Sequence, residues 1–179
     1  MGHPKVSVEI GDRSMGSLVA TAVGRTITTV VAVGRHPIPG IPQLDDGGGV
    51  GPLAALTGLA AAWDEFDNPD AVFATAVDHP WLNSVTIAQL IERFDSRPVV
   101  PMHQDTRQVL CAIYPRSFVV GVSEHTPSIQ AALDAAEVDE VSEGEWRQWG
   151  EDARSWFSAD RVEDLETGLT RFGSPESAN

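Results

Sequence analysis

Residues 70–84, DAVFATAVDHPWLNS, place the carboxylate of Asp78 directly after an apolar run and before a His79-Pro80 turn. An aspartate just past the buried end of a strand suits magnesium, a hard cation that takes oxygen ligands and keeps several waters while binding phosphates. The same side chain could instead cap the turn, and the local pattern taken alone favours capping. A second candidate is LDDGGGVGPLAAL, residues 44–56. Its glycines permit close backbone approach, and Pro52 suits the first turn of a helix. Free N–H groups at that helix start could meet an anion or a base edge. Neither the Walker spacing nor GxGxxG is present, so by itself the glycine run reads as a flexible connection.

Other chemistry-bearing residues point less clearly to a site. His3, His36, His79, His103 and His125 are scattered without metal-ligand spacing, which argues against zinc. Ser123-Glu124-His125 sits in a loop before a helical stretch and does not suggest a triad. Cys111, the single cysteine, lies in an apolar run and reads as a core residue. Four of the five tryptophans stand at or after Trp81, three of them within 146–156, and read as packing residues.

These residues must be positioned by a chain of 179 residues, enough for one domain with one substantial core. Twelve basic side chains against twenty-six acidic ones give a net charge of −14. That charge repels nucleic acid and anionic membrane surfaces, so neither is an expected partner. One cysteine permits no internal disulfide, and no apolar run is long enough to span a bilayer. The expectation is a cytoplasmic protein.

Short apolar runs alternate with helical patterns, the habit of βαβ units around a mostly parallel sheet. Strands are expected at 26–34 (buried), 71–77 (fully buried), 98–102, 108–114, 137–141 and 154–160. The run 5–10 alternates polar and apolar residues ahead of a Gly11-Asp12 turn. Helices are expected at 14–23 capped by Ser14, 53–63, 85–94 capped by Ser84, 126–136 capped by Thr126, and 161–172 stopping at Gly173. Residues 36–42 form a proline-rich loop. A single domain over 1–173 with a disordered tail at 174–179 completes the expectation.

Taken in order, Asp45 with GVGPLAAL (49–56), FATAVDHPWL (73–82), VLCAIYPRS (109–117) and WFSADRVEDL (156–165) resemble the molybdenum cofactor guanylyltransferase family along nearly the whole chain. That resemblance implies a three-layer, Rossmann-like nucleotidyltransferase that binds GTP with Mg2+ and transfers GMP to molybdopterin. Relatives in the group use CTP or other acceptors, and contact with molybdoenzyme maturation proteins is implied as well. Carried over by position, Asp78 is the magnesium ligand and Lys5 meets the nucleotide phosphates. Asp45 or Asp46, with Gly51, Pro52 and Leu53, holds the nucleoside, and Ser158 and Asp160 face the acceptor.

The family's opening strand and Leu-Ala-Gly-Gly-x-x-x-Arg loop are matched only at their end, by MGHPK. On this reading Met1 is internal and the sheet lacks its first central strand. Where the family has asparagine in the closing turn, this chain has Ser158 and Asp160. Two alternatives stay open: a non-catalytic binding homologue that lost the phosphate loop, and a nucleotidyltransferase for another base or acceptor.

Overall fold

The computed structural model describes residues 4–46, 48, 51–122 and 125–175. His3 and the rest of the N-terminal tripeptide, Gly47, Gly49 and Val50 of the glycine run, Ser123 and Glu124, and the tail 176–179 lie outside the described residues.

After a single 3-10 turn at Lys5–Ser7, the chain makes a small hairpin of β1 (Glu9–Ile10) and β2 (Arg13–Ser14) around the Gly11-Asp12 turn. Helix α1 (Met15–Gly24) follows, its first turn capped by Ser14, whose hydroxyl accepts from the Ser17 N–H. The expected strand at 26–34 shrinks to β3 (Ala32–Val33), half-buried and paired in parallel only with β4 (Gln43–Leu44). Its β-branched composition is suited to a strand, but pairing needs a neighbour, and the main sheet lies beyond a cleft. Helix α2 (Pro52–Ala61) follows the glycine run.

The main sheet comprises β5 (Ala71–Thr75), β6 (Val99–His103), β7 (Thr106–Arg107), β8 (Cys111–Pro115) and β9 (Asp139–Val141), ordered β5-β8-β6-β7 with β9 beside β6. Strands β5, β6 and β9 share one direction, while β8 runs against them between β5 and β6. Between and after these strands come α3 (Ser84–Arg93), α4 (Arg116–Gly121), α5 (Ile129–Asp134), α6 (Glu143–Gln148) and α7 (Val162–Phe172).

Side-chain alternation along β8 shows the three layers. Cys111 and Ile113 pack on one face with α3 residues Ile87 and Leu90, with α1 and with Trp146. Ala112 and Tyr114 pack on the other with Leu56 and Leu59 of α2 and with Val119 and Leu133. That is an α/β fold with helices on both faces of one sheet. Cys111 is fully buried, and burial pushes its thiol well up.

Several boundaries differ from expectation. Strand β5 ends at Thr75 and is half-buried throughout, because it is an edge strand with a cleft beside it. Helix α3 is capped by Asn83, one residue early, since the amide oxygen accepts from the Val85 N–H. Helix α5 starts at Ile129 with Ser128 as cap, leaving Thr126 and Pro127 in the loop. Residues 154–160 form no strand: Ala153 is left-handed at φ 74°, and Arg154–Trp156 makes a 3-10 turn fixed by the Arg154–Asp152 ion pair. The start of the expected strand at 108 becomes a turn, with the Cys111 N–H donating to the Gln108 carbonyl.

Candidate active site

Beyond β5 the chain turns through Ala76–Pro80, and the His79 N–H donates to the Ala76 carbonyl at 3.2 Å. This leaves Asp78 at the rim, with its side chain 18% exposed. Lys5 reaches across from the N-terminal segment, its Nζ 2.8 Å from Asp78 Oδ2. The same ammonium also donates to Asp160 Oδ1. Two carboxylates thus share one cation, and the cluster keeps a net negative charge. Burial opposes the charge on Lys5, but the hydrogen bonds to Asp160 and Asp78 prevail and raise its pKa. The Lys5 ammonium in turn holds the Asp160 carboxyl below the usual range.

The closing loop carries Asp160 to this place. The Ala159 N–H donates to the Asp78 carbonyl at 2.8 Å, tying the two segments together. Ser158 Oγ donates to Asp160 Oδ2 at 3.2 Å. The backbone N–H groups of Asp160 and Arg161 donate to Asp164 in the first turn of α7. A second tie lies deeper: Glu151, 3% exposed, accepts from Thr86 Oγ1 and Ser155 Oγ, and Ser155 Oγ accepts from the Asn83 N–H. Glu151 and Asp164 were not among the sequence-based candidates. Asp164 had a legible signal, an acid in the first turn of a helix; Glu151, one acid among many in WGEDARSW, had none.

His79 sits beside the cluster, its Nε2 3.8 Å from Asp78 Oδ1. Burial lowers its pKa, partly opposed by the charge on Asp78.

The glycine turn stands on the β4–α2 side. Gly51 caps α2 at φ 82°, a left-handed conformation that favours glycine, and Pro52 occupies the first turn. Asp46 Oδ1 accepts from the Gly48 N–H at 3.0 Å. Helix α2 approaches Asp45 so closely that a Cβ at Gly58 would lie 2.7 Å from the Asp45 carbonyl. Gly51 and Pro52 line the same 740 Å³ cleft as Ala76 and Val77, the two residues before Asp78. The structure therefore joins Lys5, Asp78, Ser158 and Asp160 in one cluster. Asp45, Asp46, Gly51, Pro52 and Leu53 belong to a separate turn, which meets the strand end through the cleft. Among the described residues no group of three or more His, Cys, Asp or Glu side chains could hold a metal ion, and no helix is long and apolar enough to cross a membrane.

In open α/β sheets ligands bind beyond the carboxyl ends of the strands, which is where the Asp78 cluster stands. Residues 1–144 match the MobA-like NTP transferase domain, and the chain belongs to that family of nucleotidyltransferases. Asp160 and the closing loop lie beyond the matched stretch. Among solved structures, the chain is similar to molybdopterin-guanine dinucleotide biosynthesis protein A from Archaeoglobus fulgidus. The TM-score is 0.69 at 19% identity, over 93% of this chain and 89% of that one. It is also similar to 2-C-methyl-D-erythritol 4-phosphate cytidylyltransferase from Thermus thermophilus, with TM-score 0.63 at 16% identity over 93% and 92% of the two chains. At these identities the likeness is one of fold. No curated protein matches the sequence.

Proposed function

We infer that this domain transfers GMP from GTP to the phosphate of a molybdopterin-type acceptor, with magnesium held at Asp78 and Asp160. One observation carries the reading: a cation, the Lys5 ammonium, is already seated between these two carboxylates at the strand end. Hard oxygen donors of net negative charge are the chemistry magnesium selects, and two carboxylates suffice because this ion keeps waters and substrate phosphates as its other ligands. Bound there, it would neutralise charge on the α-phosphate and on the departing pyrophosphate.

The remaining work falls to the chain's own groups. Lys5 exchanges a carboxylate oxygen for a phosphate oxygen. The Gly51-Pro52-Leu53 turn, with Asp45 or Asp46, receives the nucleoside. Ser158 orients the acceptor beside Asp160. The acceptor oxygen attacks the α-phosphorus in line, the α–β bridging P–O bond breaks, and pyrophosphate leaves; positioning and electrostatics supply the catalysis. The likeness in fold to a cytidylyltransferase favours CTP as the alternative base.

The test is release of pyrophosphate from GTP or CTP, with and without magnesium and molybdopterin, by the wild-type chain and a folded Asp78→Ala variant. Metal-dependent turnover in the wild type and a loss of about a hundredfold or more in the variant are expected. Full metal-dependent activity in Asp78→Ala refutes the role of that carboxylate. Absence of turnover with either nucleotide refutes the reaction.

A further inference from the structure

Lys5 is the single lysine of the chain, and the other eleven basic side chains are arginines. Arginines make the fixed ion pairs of this fold. Arg93 and Arg154 each grip both oxygens of one carboxylate, those of Asp139 and Asp152, through two guanidinium nitrogens. A planar fork held in this way has one geometry, whereas a lysine is a compact charge on a flexible stem and changes partners readily. The one cation of the second kind stands at the Asp78–Asp160 pair.

The backbone beneath Lys5 is anchored. Val6 is buried against α1, where a Cβ on Gly16 would fall 2.5 Å from the Val6 Cγ2. The Val8 N–H donates to the Lys5 carbonyl at 3.1 Å, and the Met15 N–H to the Val8 carbonyl at 2.8 Å. Beyond that anchor the Lys5 side chain is 37% exposed. It runs between an inner carboxylate, Asp78 at 18% exposed, and an outer one, Asp160 at 59%. Departure of the ammonium past Asp160 therefore needs rotation of one side chain and no backbone movement.

Asp160 stands where the resembled family has asparagine, so here the ammonium has two carboxylates instead of one. Two anions around a single positive charge leave a net negative site, and a divalent ion gains by replacing the ammonium. The two cations repel and compete for the same oxygens, so they exclude one another.

We propose that the Lys5 ammonium is a displaceable counter-ion, a gate that Asp160 closes. It holds the divalent-cation position in the empty site and must swing away before the ion enters. The gate rests on the reading proposed above, in which Asp78 and Asp160 hold the metal. An arriving triphosphate gives the displaced ammonium its next partner, so ion and nucleotide strengthen each other's binding by the same factor.

The experiment uses the full chain, manganese(II) as the probe ion, since it takes the same oxygen ligands as magnesium, and two readouts other than turnover. Free manganese is counted by electron paramagnetic resonance. Acetylation of Lys5 by N-hydroxysuccinimidyl acetate is timed by mass spectrometry, which no other lysine complicates. Lys5→Met should bind manganese roughly tenfold more tightly than the wild type, because two part-exposed ion pairs together oppose the ion by about that factor. Saturating manganese should speed acetylation of wild-type Lys5 roughly threefold or more, and Asp160→Asn should do so without metal. GTP should tighten manganese binding more in the wild type than in Lys5→Met, since complexation of the ion by GTP in solution is common to both. The gate is overturned, with the metal reading intact, if manganese binds both proteins equally. It is overturned in the same way if manganese or Asp160→Asn leaves Lys5 acetylation unchanged or slower, or if GTP gives both proteins the same gain. Absence of manganese binding in both proteins, each shown folded by circular dichroism, overturns the metal reading and the gate with it.

Discussion

Gly168 lies in the middle of α7, where alanine would ordinarily stabilise a helix by up to about 1 kcal/mol. Here the surroundings reverse that expectation. A Cβ at Gly168 would fall 2.2 Å from Cη2 of Trp81, and 2.5 and 2.6 Å from its next two ring atoms. Trp81 has no room to retreat. It is fully buried, its Nε1 donates to the Gly173 carbonyl at 2.9 Å, and Phe157 and Phe172 pack with ring centroids 5.7 and 5.9 Å away. Overpacking costs about 1–3 kcal/mol, and a 2.2 Å approach to a ring held in place takes the upper part of that range, roughly 2–3 kcal/mol, which leaves a net loss of roughly 1–2 kcal/mol for Gly168→Ala. For a chain of this length that lowers Tm by roughly 2–8 °C.

Trp81 follows Asp78 by three residues, and α7 carries the Asp164 that fixes the backbone of Asp160. The strain should therefore also disturb the carboxylate pair and reduce metal-dependent turnover in a protein that is still folded. Thermal unfolding by circular dichroism measures the first effect, and pyrophosphate release at a temperature well below Tm the second. Trp81→Phe on the Gly168→Ala background relieves the clash, so the double variant should be more stable than the sum of the single losses. A Tm for Gly168→Ala at or above the wild-type value would refute the packing argument.

Glu151→Ala strands the hydroxyls of Thr86 and Ser155 and two backbone N–H groups in a buried place, and should cost roughly 2–5 kcal/mol in urea unfolding; a loss within experimental error of zero contradicts the network. Glu145 has its carboxyl held down to about 2 by the Ser142 hydroxyl and N–H, and by Arg93. A folded pKa below the unfolded 4.5 means stabilisation that is complete above pH 4.5 and disappears between 4.5 and about 2. Glu145→Gln should therefore lower the urea midpoint near neutrality and flatten its fall across that acid window, and an unchanged slope would count against the assignment. The Cys111 thiol, fully buried and pushed up by burial, should react with a thiol reagent only as fast as the chain opens; rapid stoichiometric labelling of the native chain would show that β8 is not in the core.

The helices were legible where a cap and a long apolar period coincide, as at Ser14 before α1 and in the apolar stripe of α3 through Ile87 and Leu90. The core strands β6 and β8 were legible as apolar runs because both faces of the sheet are covered. The failures share a cause. Residues 26–34 and 154–160 have strand composition, but a strand exists only when a neighbouring backbone is there to pair with, and composition does not say where that neighbour is. Hence 26–34 keeps just two paired residues across a cleft, and 154–160 follows local turn chemistry instead.

For the site, residue types determined what each group could do: Asp78 at a strand end, a proline-led helix after glycines, an acidic closing turn. Family resemblance supplied the roles. Only tertiary structure decided which of them meet. Lys5, Asp78 and Asp160 are separated by 73 and 155 residues from the first to each of the others, and contact follows from the sheet, the Ala159–Asp78 backbone bond and the buried Glu151. Likewise the half-burial of β5 and the open edge beside it appear nowhere in the run DAVFATAV, whose composition is that of a strand covered on both sides. Side-chain chemistry is written locally in the chain, whereas burial and pairing depend on what the rest of the molecule brings alongside.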